Sequence, residues 1–150
     1  MTLKIEISAG GIVYKKLKHP TSSSHHLEWL IGQHSQHKGW VFPKGLINDM
    51  KKGETMEEAA IREVEEEGGV KAEIVSKTPI STQYFYKFEG QLVRKTVYYF
   101  LMEYLSGDPK NHDWEMQDAK FVSEEEVRKT LTYKTDKEAF EKILKLFNNK

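Results

Sequence analysis

Residues 45–70 read GLINDMKKGETMEEAAIREVEEEGGV, a glycine-bounded loop that runs into a segment crowded with glutamates. Thr55, followed three residues later by Glu58, has the form of a capping box, and Gly68-Gly69 is a stop signal. The spacing therefore predicts one helix from Met56 to Glu67. At roughly 100° per residue, Glu63 and Glu67 fall within the arc marked by Met56, Ala59, Ala60 and Val64, with Glu66 at its edge. Glu58, Arg62 and Glu65 fall on the other side, where a surface helix keeps its charges. Carboxylates on the apolar arc repel one another and lose hydration, so they resist ionising unless a positive charge sits among them. A hard divalent cation meets that need. Mg2+ takes oxygen ligands, keeps several waters, and binds through a few carboxylates shared with substrate phosphates. The small side chains of Ala59 and Ala60 leave room beside the acids.

The run Arg62-Glu63-Val64-Glu65-Glu66-Glu67-Gly68-Gly69-Val70 resembles the second half of the Nudix box, R-E-U-x-E-E-x-G-U with U an aliphatic residue. Glu54, with seven residues between it and Arg62, stands where that pattern has its first glutamate. One departure is visible. The pattern has five residues between its first glycine and first glutamate, whereas eight separate Gly45 from Glu54, which reads as a three-residue loop insertion within Asn48 to Lys51.

The whole chain bounds what else is open. Its 150 residues are enough for one domain with a real core and too few for two comfortable ones. With 23 basic and 23 acidic residues there is no global field to recruit nucleic acid or membrane, so any phosphate recognition is local. The absence of cysteine excludes disulfides, thiolate catalysis and a zinc-thiolate site. The opening MTLKIEISAGG has neither a signal-peptide apolar core nor transit-peptide character, and no apolar run approaches membrane-spanning length, so a cytoplasmic protein is expected.

Outward from the helix, Ile5, Ile7, Ile12 and Val13 surround Ser8-Ala9-Gly10-Gly11, a β-type segment that reads as a bent core strand and whose glycines permit a bulge or a close backbone approach. His19 to His26, polar and serine-rich with Pro20, is expected to be a mobile hairpin loop, with His25 and His26 as solvated side chains. Leu27 to Ile31 reads as a second strand. His34, His37 and Lys38 follow in a loop, and Gly39-Trp40-Val41-Phe42-Pro43-Lys44-Gly45 combines a short apolar strand with a Pro and a Gly at the entrance to the helix loop.

Lys77 to Phe88 and Gln91 to Leu105 alternate as long strands joined through Glu89-Gly90. A two-residue turn there pairs Phe88 with Gln91, Tyr86 with Val93 and Tyr84 with Lys95, leaving Tyr84 and Lys95 side by side. An aromatic ring beside a cation suits a nucleotide, although strand tyrosines also serve as packing residues. Gly107 to Asp118 reads as a polar loop holding His112, Trp114 and Glu115, and Ala119 to Val122 as a short strand. Ser123 with Glu126 signals a capped helix. Asp136 is expected to open a last helix, whose core stripe is Phe140, Ile143, Leu144 and Phe147.

The resemblance implies an α+β fold, the Nudix-type α/β/α sandwich with a mixed central β-sheet and the loop-helix of the box, over residues 1–150. Beyond the box, Pro43-Lys44-Gly45, the strand Lys95 to Phe100, Trp114-Glu115 and Leu131-Thr132-Tyr133-Lys134 are similar to the diadenosine tetraphosphate hydrolase branch. By that likeness Glu63, Glu66 and Glu67 hold Mg2+, for which Mn2+ can substitute, and the Lys44 carbonyl joins them. Glu115 approaches the metals from its loop, Lys95 contacts a phosphate, Tyr133 an adenine, and the Lys44 ammonium either meets a phosphate oxygen or stays in solvent.

Arg62 would fix the loop and a glutamate through its planar fork, with Glu54 bracing the same network. Glu66 and Glu115 compete for the role of proton acceptor. The implied partner is a small nucleoside polyphosphate, not nucleic acid, and the oligomeric state is open. Two other readings stand beside this one. One is a non-catalytic nucleotide or sugar sensor, although such domains generally lose box carboxylates. The other is a pyrophosphatase for modified nucleoside triphosphates, diphosphoinositol phosphates or capped RNA ends.

Overall fold

The structure, a computed structural model, describes residues 2–17, 27–47 and 53–148. The expected hairpin loop with His25 and His26, and the insertion at Asn48 to Lys51, lie outside the described residues. Eight strands form one mixed sheet: β1 (Lys4–Lys16), β2 (Leu27–His34), β3 (Trp40–Val41), β4 (Lys44–Leu46), β5 (Val70–Ile74), β6 (Ile80–Phe88), β7 (Gln91–Gly107) and β8 (Met116–Val122). The long central strands β1 and β7 run parallel, Lys4 opposite Val93 through Tyr14 opposite Glu103, and every other pairing is antiparallel. Helix α1 (Met56–Gly68) packs on β1, β4 and β5. Helices α2 (Glu124–Thr130) and α3 (Lys134–Asn148) cover the opposite face through β2, β6 and β7. This is the expected α+β sandwich with a mixed central sheet.

Strand alternation divides the core in two. On the α3 side Ile12, Trp29, Phe42, Val97, Tyr99 and Leu101 meet Phe140 and Ile143. On the α1 side Val13, Leu30, Phe100 and Met102 meet Ala60 and Val64. Full burial of each large side chain contributes roughly 1.5–3 kcal/mol. Among the described residues no helix is long and apolar enough to cross a membrane.

The Glu89-Gly90 turn produces the expected register, including Tyr84 opposite Lys95. Both turn residues have positive φ, 51° and 77°, the geometry that matches strand twist in a two-residue hairpin. At Gly10 the close-approach reading holds: an added methyl would overlap the Pro43 carbonyl, whose oxygen accepts from Gly11 N at 3.2 Å.

Several boundaries and exposures differ from expectation. Strand β6 begins at Ile80 rather than Lys77, β7 continues to Gly107, and β8 starts at Met116, so the loop ahead of it is shorter. The last helix starts at Lys134, which makes Asp136 a buried residue of its first turn rather than its opening cap. Ile5 and Ile7 are 54% and 39% exposed, because α1 covers the other half of β1.

Candidate active site

Helix α1 opens with both halves of the capping box. Thr55 Oγ1 accepts from Glu58 N at 3.1 Å, and Glu58 Oε1 accepts from Thr55 N at 2.9 Å. It closes on Gly69, whose φ of 76° is the left-handed cap, one residue later than expected. With both ends fixed, the periodicity delivers Glu63 and Glu67 inward, each 8% exposed, while the Glu66 side chain stays 46% exposed at the rim.

Arg62 does not lie on a solvated face as its helical angle suggested. Its side chain is 19% exposed. Its Nε and one terminal nitrogen grip Glu54 at 2.9 and 3.2 Å, and the other reaches Glu66 at 3.1 Å and Glu63 at 3.6 Å. The planar fork thus ties the incoming loop to the helix, the bracing role expected of Arg62 and Glu54. Hydrogen bonds to Glu54 raise the Arg62 pKa further, so its charge is permanent.

The buried acids hold protons unusually well. Burial pushes Glu63 up to about 7 against the pull of Arg62, and Glu67 up to about 8 despite a 3.2 Å hydrogen bond donated by Lys44 N. A methyl on Gly45 would overlap the Glu63 carboxylate, so any larger residue there would have to displace that acid.

Glu115 comes to the same place on a loop pinned to the fold. Asp113 N donates to the Glu66 carbonyl at 2.8 Å, Ser35 N to the Glu115 carbonyl at 2.9 Å, and Glu115 N to Asp113 Oδ1 at 3.1 Å. A cavity of about 540 Å³ is lined by Glu63, Glu66, Glu67 and Glu115, and also by Arg62, Lys44, Tyr84 and Lys95. Among the described residues no three acids or histidines are gathered into a ready cage. The four glutamates nonetheless offer hard oxygen donors, and burial disfavours ionisation of two of them. That fits a cation of the Mg2+ type, which keeps part of its water shell.

A second cavity of about 410 Å³ adjoins the first and shares His37, Val41, Lys44 and Tyr84 with it. Tyr133, Thr82, Val97 and Asp136 also line it. Tyr133 Oη lies 3.0 Å from His37 Nδ1, and the His37 ring stacks on His34 at 4.1 Å and 8°. Burial, then His34 and Lys44, lower the His37 pKa, which favours the neutral ring.

The structure brings together every predicted site residue: Arg62, Glu63, Glu66, Glu67 and Glu115 at one end, Lys44, Tyr84 and Lys95 between, Tyr133 at the other. His34, His37, Ser8 and Asp136 also border these cavities without having been singled out for them. Only the nearness of His34 and His37 to the Pro43-Lys44-Gly45 turn hinted at them.

These two connected cavities, one acidic and one aromatic, sit on an α/β/α sandwich of the Nudix type. The chain belongs to the Nudix family: the NUDIX domain model matches residues 22–143. Members of this family generally use divalent metal ions.

A Mycobacterium tuberculosis (strain CDC 1551 / Oshkosh) protein named as a mutator protein, MutT4, is 33% identical over 130 residues, 85% of this chain and 50% of that protein. The chain therefore spans about half the length of that relative. A crystal structure of a C. elegans Ap4A hydrolase binary complex matches with a TM-score of 0.73 at 26% identity, over 97% of this chain and 99% of that one. A NUDIX hydrolase from Nitrosomonas europaea shares the fold, with a TM-score of 0.62 at 17% identity, over 92% of this chain and 87% of that one.

Proposed function

We propose that this protein is a Mg2+-dependent hydrolase of nucleoside-linked polyphosphates, and that diadenosine tetraphosphate, split into ATP and AMP, is the substrate its site suits best. The observation that carries the reading is the junction of the two cavities. An acidic end able to share a cation with phosphates, with Lys95 on its wall, opens past Lys44 and Tyr84 onto an aromatic end bordered by His37 and Tyr133. A base stacks against the neutral imidazole and the phenol rings. The two lysines neutralise phosphates, and the resemblance to the C. elegans Ap4A hydrolase supports the same assignment.

In the reaction, water attacks phosphorus, the phosphoanhydride P–O bond breaks, and the water's proton passes to a carboxylate. Bound Mg2+ supplies charge neutralisation and lowers the pKa of its water. Glu63, Glu66 and Glu67 would hold it, with the Lys44 carbonyl adding an oxygen. The Glu66 carboxylate already accepts a hydrogen bond from Arg62 at 3.1 Å. Among the described residues no hydrogen bond or ion pair engages the Glu115 carboxylate, which faces the same cavity, and this favours Glu115 as the proton acceptor.

Purified protein with Mg2+, assayed against dinucleoside polyphosphates, nucleoside triphosphates and sugar nucleotides, tests the proposal. Diadenosine tetraphosphate should be consumed far faster than any nucleoside triphosphate. The relation to MutT4 supports a second reading, a pyrophosphatase for modified nucleoside triphosphates. Faster turnover of that class would replace the first. Tight binding of one compound with no turnover of any would make the chain a sensor.

A further inference from the structure

Ser8 borders the larger cavity beside Lys44, Tyr84 and Lys95. Strand β1 sets Ser8 opposite Leu46 of β4 and Val97 of β7, with Gly10 opposite Lys44 and Glu6 opposite Lys95. Alternation then puts the Ser8 side chain on the same face as both lysines, one diagonal step from each. Ser8 is 0% exposed, and among the described residues its Oγ has no hydrogen-bond partner. A buried hydroxyl without a partner destabilises a fold, and alanine at the same place would not.

The surroundings indicate the missing partner. Burial and the nearby Lys44 lower the Lys95 pKa, outweighing Glu6 and Glu67, which raise it, so the two lysines crowd each other in this corner of the cavity. What completes both the lysines and the hydroxyl is an anionic oxygen, because it accepts from all three.

We propose that Ser8 is a substrate-binding residue whose hydroxyl donates to a phosphate oxygen held between Lys44 and Lys95. This rests on the phosphate-binding reading of the cavity given above. It makes an opposed pair of effects the signature: removing the hydroxyl relieves the free protein and weakens the complex. A hydroxyl with a purely structural role would not move the two in opposite directions.

The test uses the full chain with Ser8→Ala and Ser8→Cys, melted without ligand and titrated calorimetrically with inorganic tripolyphosphate in Mg2+. Ser8→Ala should melt about 2–4 °C higher than the parent. It should bind tripolyphosphate about 10-fold more weakly, the size expected for a hydrogen bond to a charged group. Ser8→Cys, with a weaker donor of similar size, should fall between. Unchanged affinity in Ser8→Ala, a lower melting point, or a parent protein that does not bind tripolyphosphate would each overturn the proposal. Weakened affinity in a protein that splits no nucleoside polyphosphate would uphold Ser8 and remove only the proposed reaction. Turnover of diadenosine tetraphosphate with unchanged tripolyphosphate affinity would do the reverse.

Discussion

The two faces of the sheet solve the problem of buried charge in different ways. On the α1 face Glu63 and Glu67 are buried with partial partners only, a 3.6 Å contact from Arg62 and one amide hydrogen bond from Lys44, and burial raises both pKa values. On the α3 face the buried Asp136 receives a 3.0 Å hydrogen bond from Tyr99, itself 1% exposed, within an aromatic core. The first arrangement leaves buried acids only partly partnered, which is where the proposed cation would sit. The second is already closed. An unsatisfied group in an otherwise well-packed fold points to something that binds there, whereas a satisfied one supports the wall of a binding site.

Disabling the incomplete side should produce the largest effects. Glu66→Gln and Glu67→Gln keep shape but remove a charge that the cation and phosphates need, so each should fold normally and lose about 100-fold or more in turnover. Full activity in either, measured with diadenosine tetraphosphate and Mg2+, would break the contrast at its stronger end. Glu115→Gln should come next. A lost proton acceptor costs roughly 100-fold in kcat, with KM little changed. An unchanged rate would take Glu115 out of the chemistry and return that role to Glu66.

The aromatic side should answer through binding instead. Replacing Tyr133 with alanine removes a stacking surface and the hydroxyl contact to His37, and the stacking loss alone should raise KM by about 10-fold while leaving kcat nearly constant. A fall in kcat with constant KM would mean that the second cavity does not hold the base, and that its rings act on the acidic end.

What the sequence revealed divides along the same line. The acidic end was legible because its residues share one helix with caps at both ends, and a helix of known period needs no tertiary information to place Glu63 and Glu67. The Tyr84–Lys95 pair was legible for a similar reason: a two-residue turn fixes the register of the strands it joins. Arg62 was misplaced because its partner Glu54 comes from the incoming loop, and a bidentate contact pulled the side chain off the face that periodicity assigned. His37 and Tyr133 meet from 96 positions apart, and Tyr99 and Asp136 from 37, so neither pairing has a local signature. Ile5 and Ile7 looked like core because alternation shows which side a residue faces, not whether a helix is long enough to cover it.

Asp136 offers the smallest effect and the finest test of the contrast. Burial raises its pKa, outweighing Lys44, the Tyr99 hydrogen bond and His37, all of which pull it down. The folded state therefore holds this proton more tightly than the unfolded chain, where a carboxyl titrates near roughly 4. The stabilisation is fully present below that ordinary range and fades as pH rises through the folded value. Glu63 and Glu67 tilt stability in the same direction, so the parent protein alone cannot isolate one residue. The difference between parent and Asp136→Asn does. Urea midpoints measured without metal from pH 5 to pH 8 should fall less steeply in the variant, because an amide keeps an acceptor for Tyr99 and has no proton to lose. Parallel slopes would show that Asp136 stays ionised throughout, and that the α3 face carries a buried charge as unrelieved as those on α1.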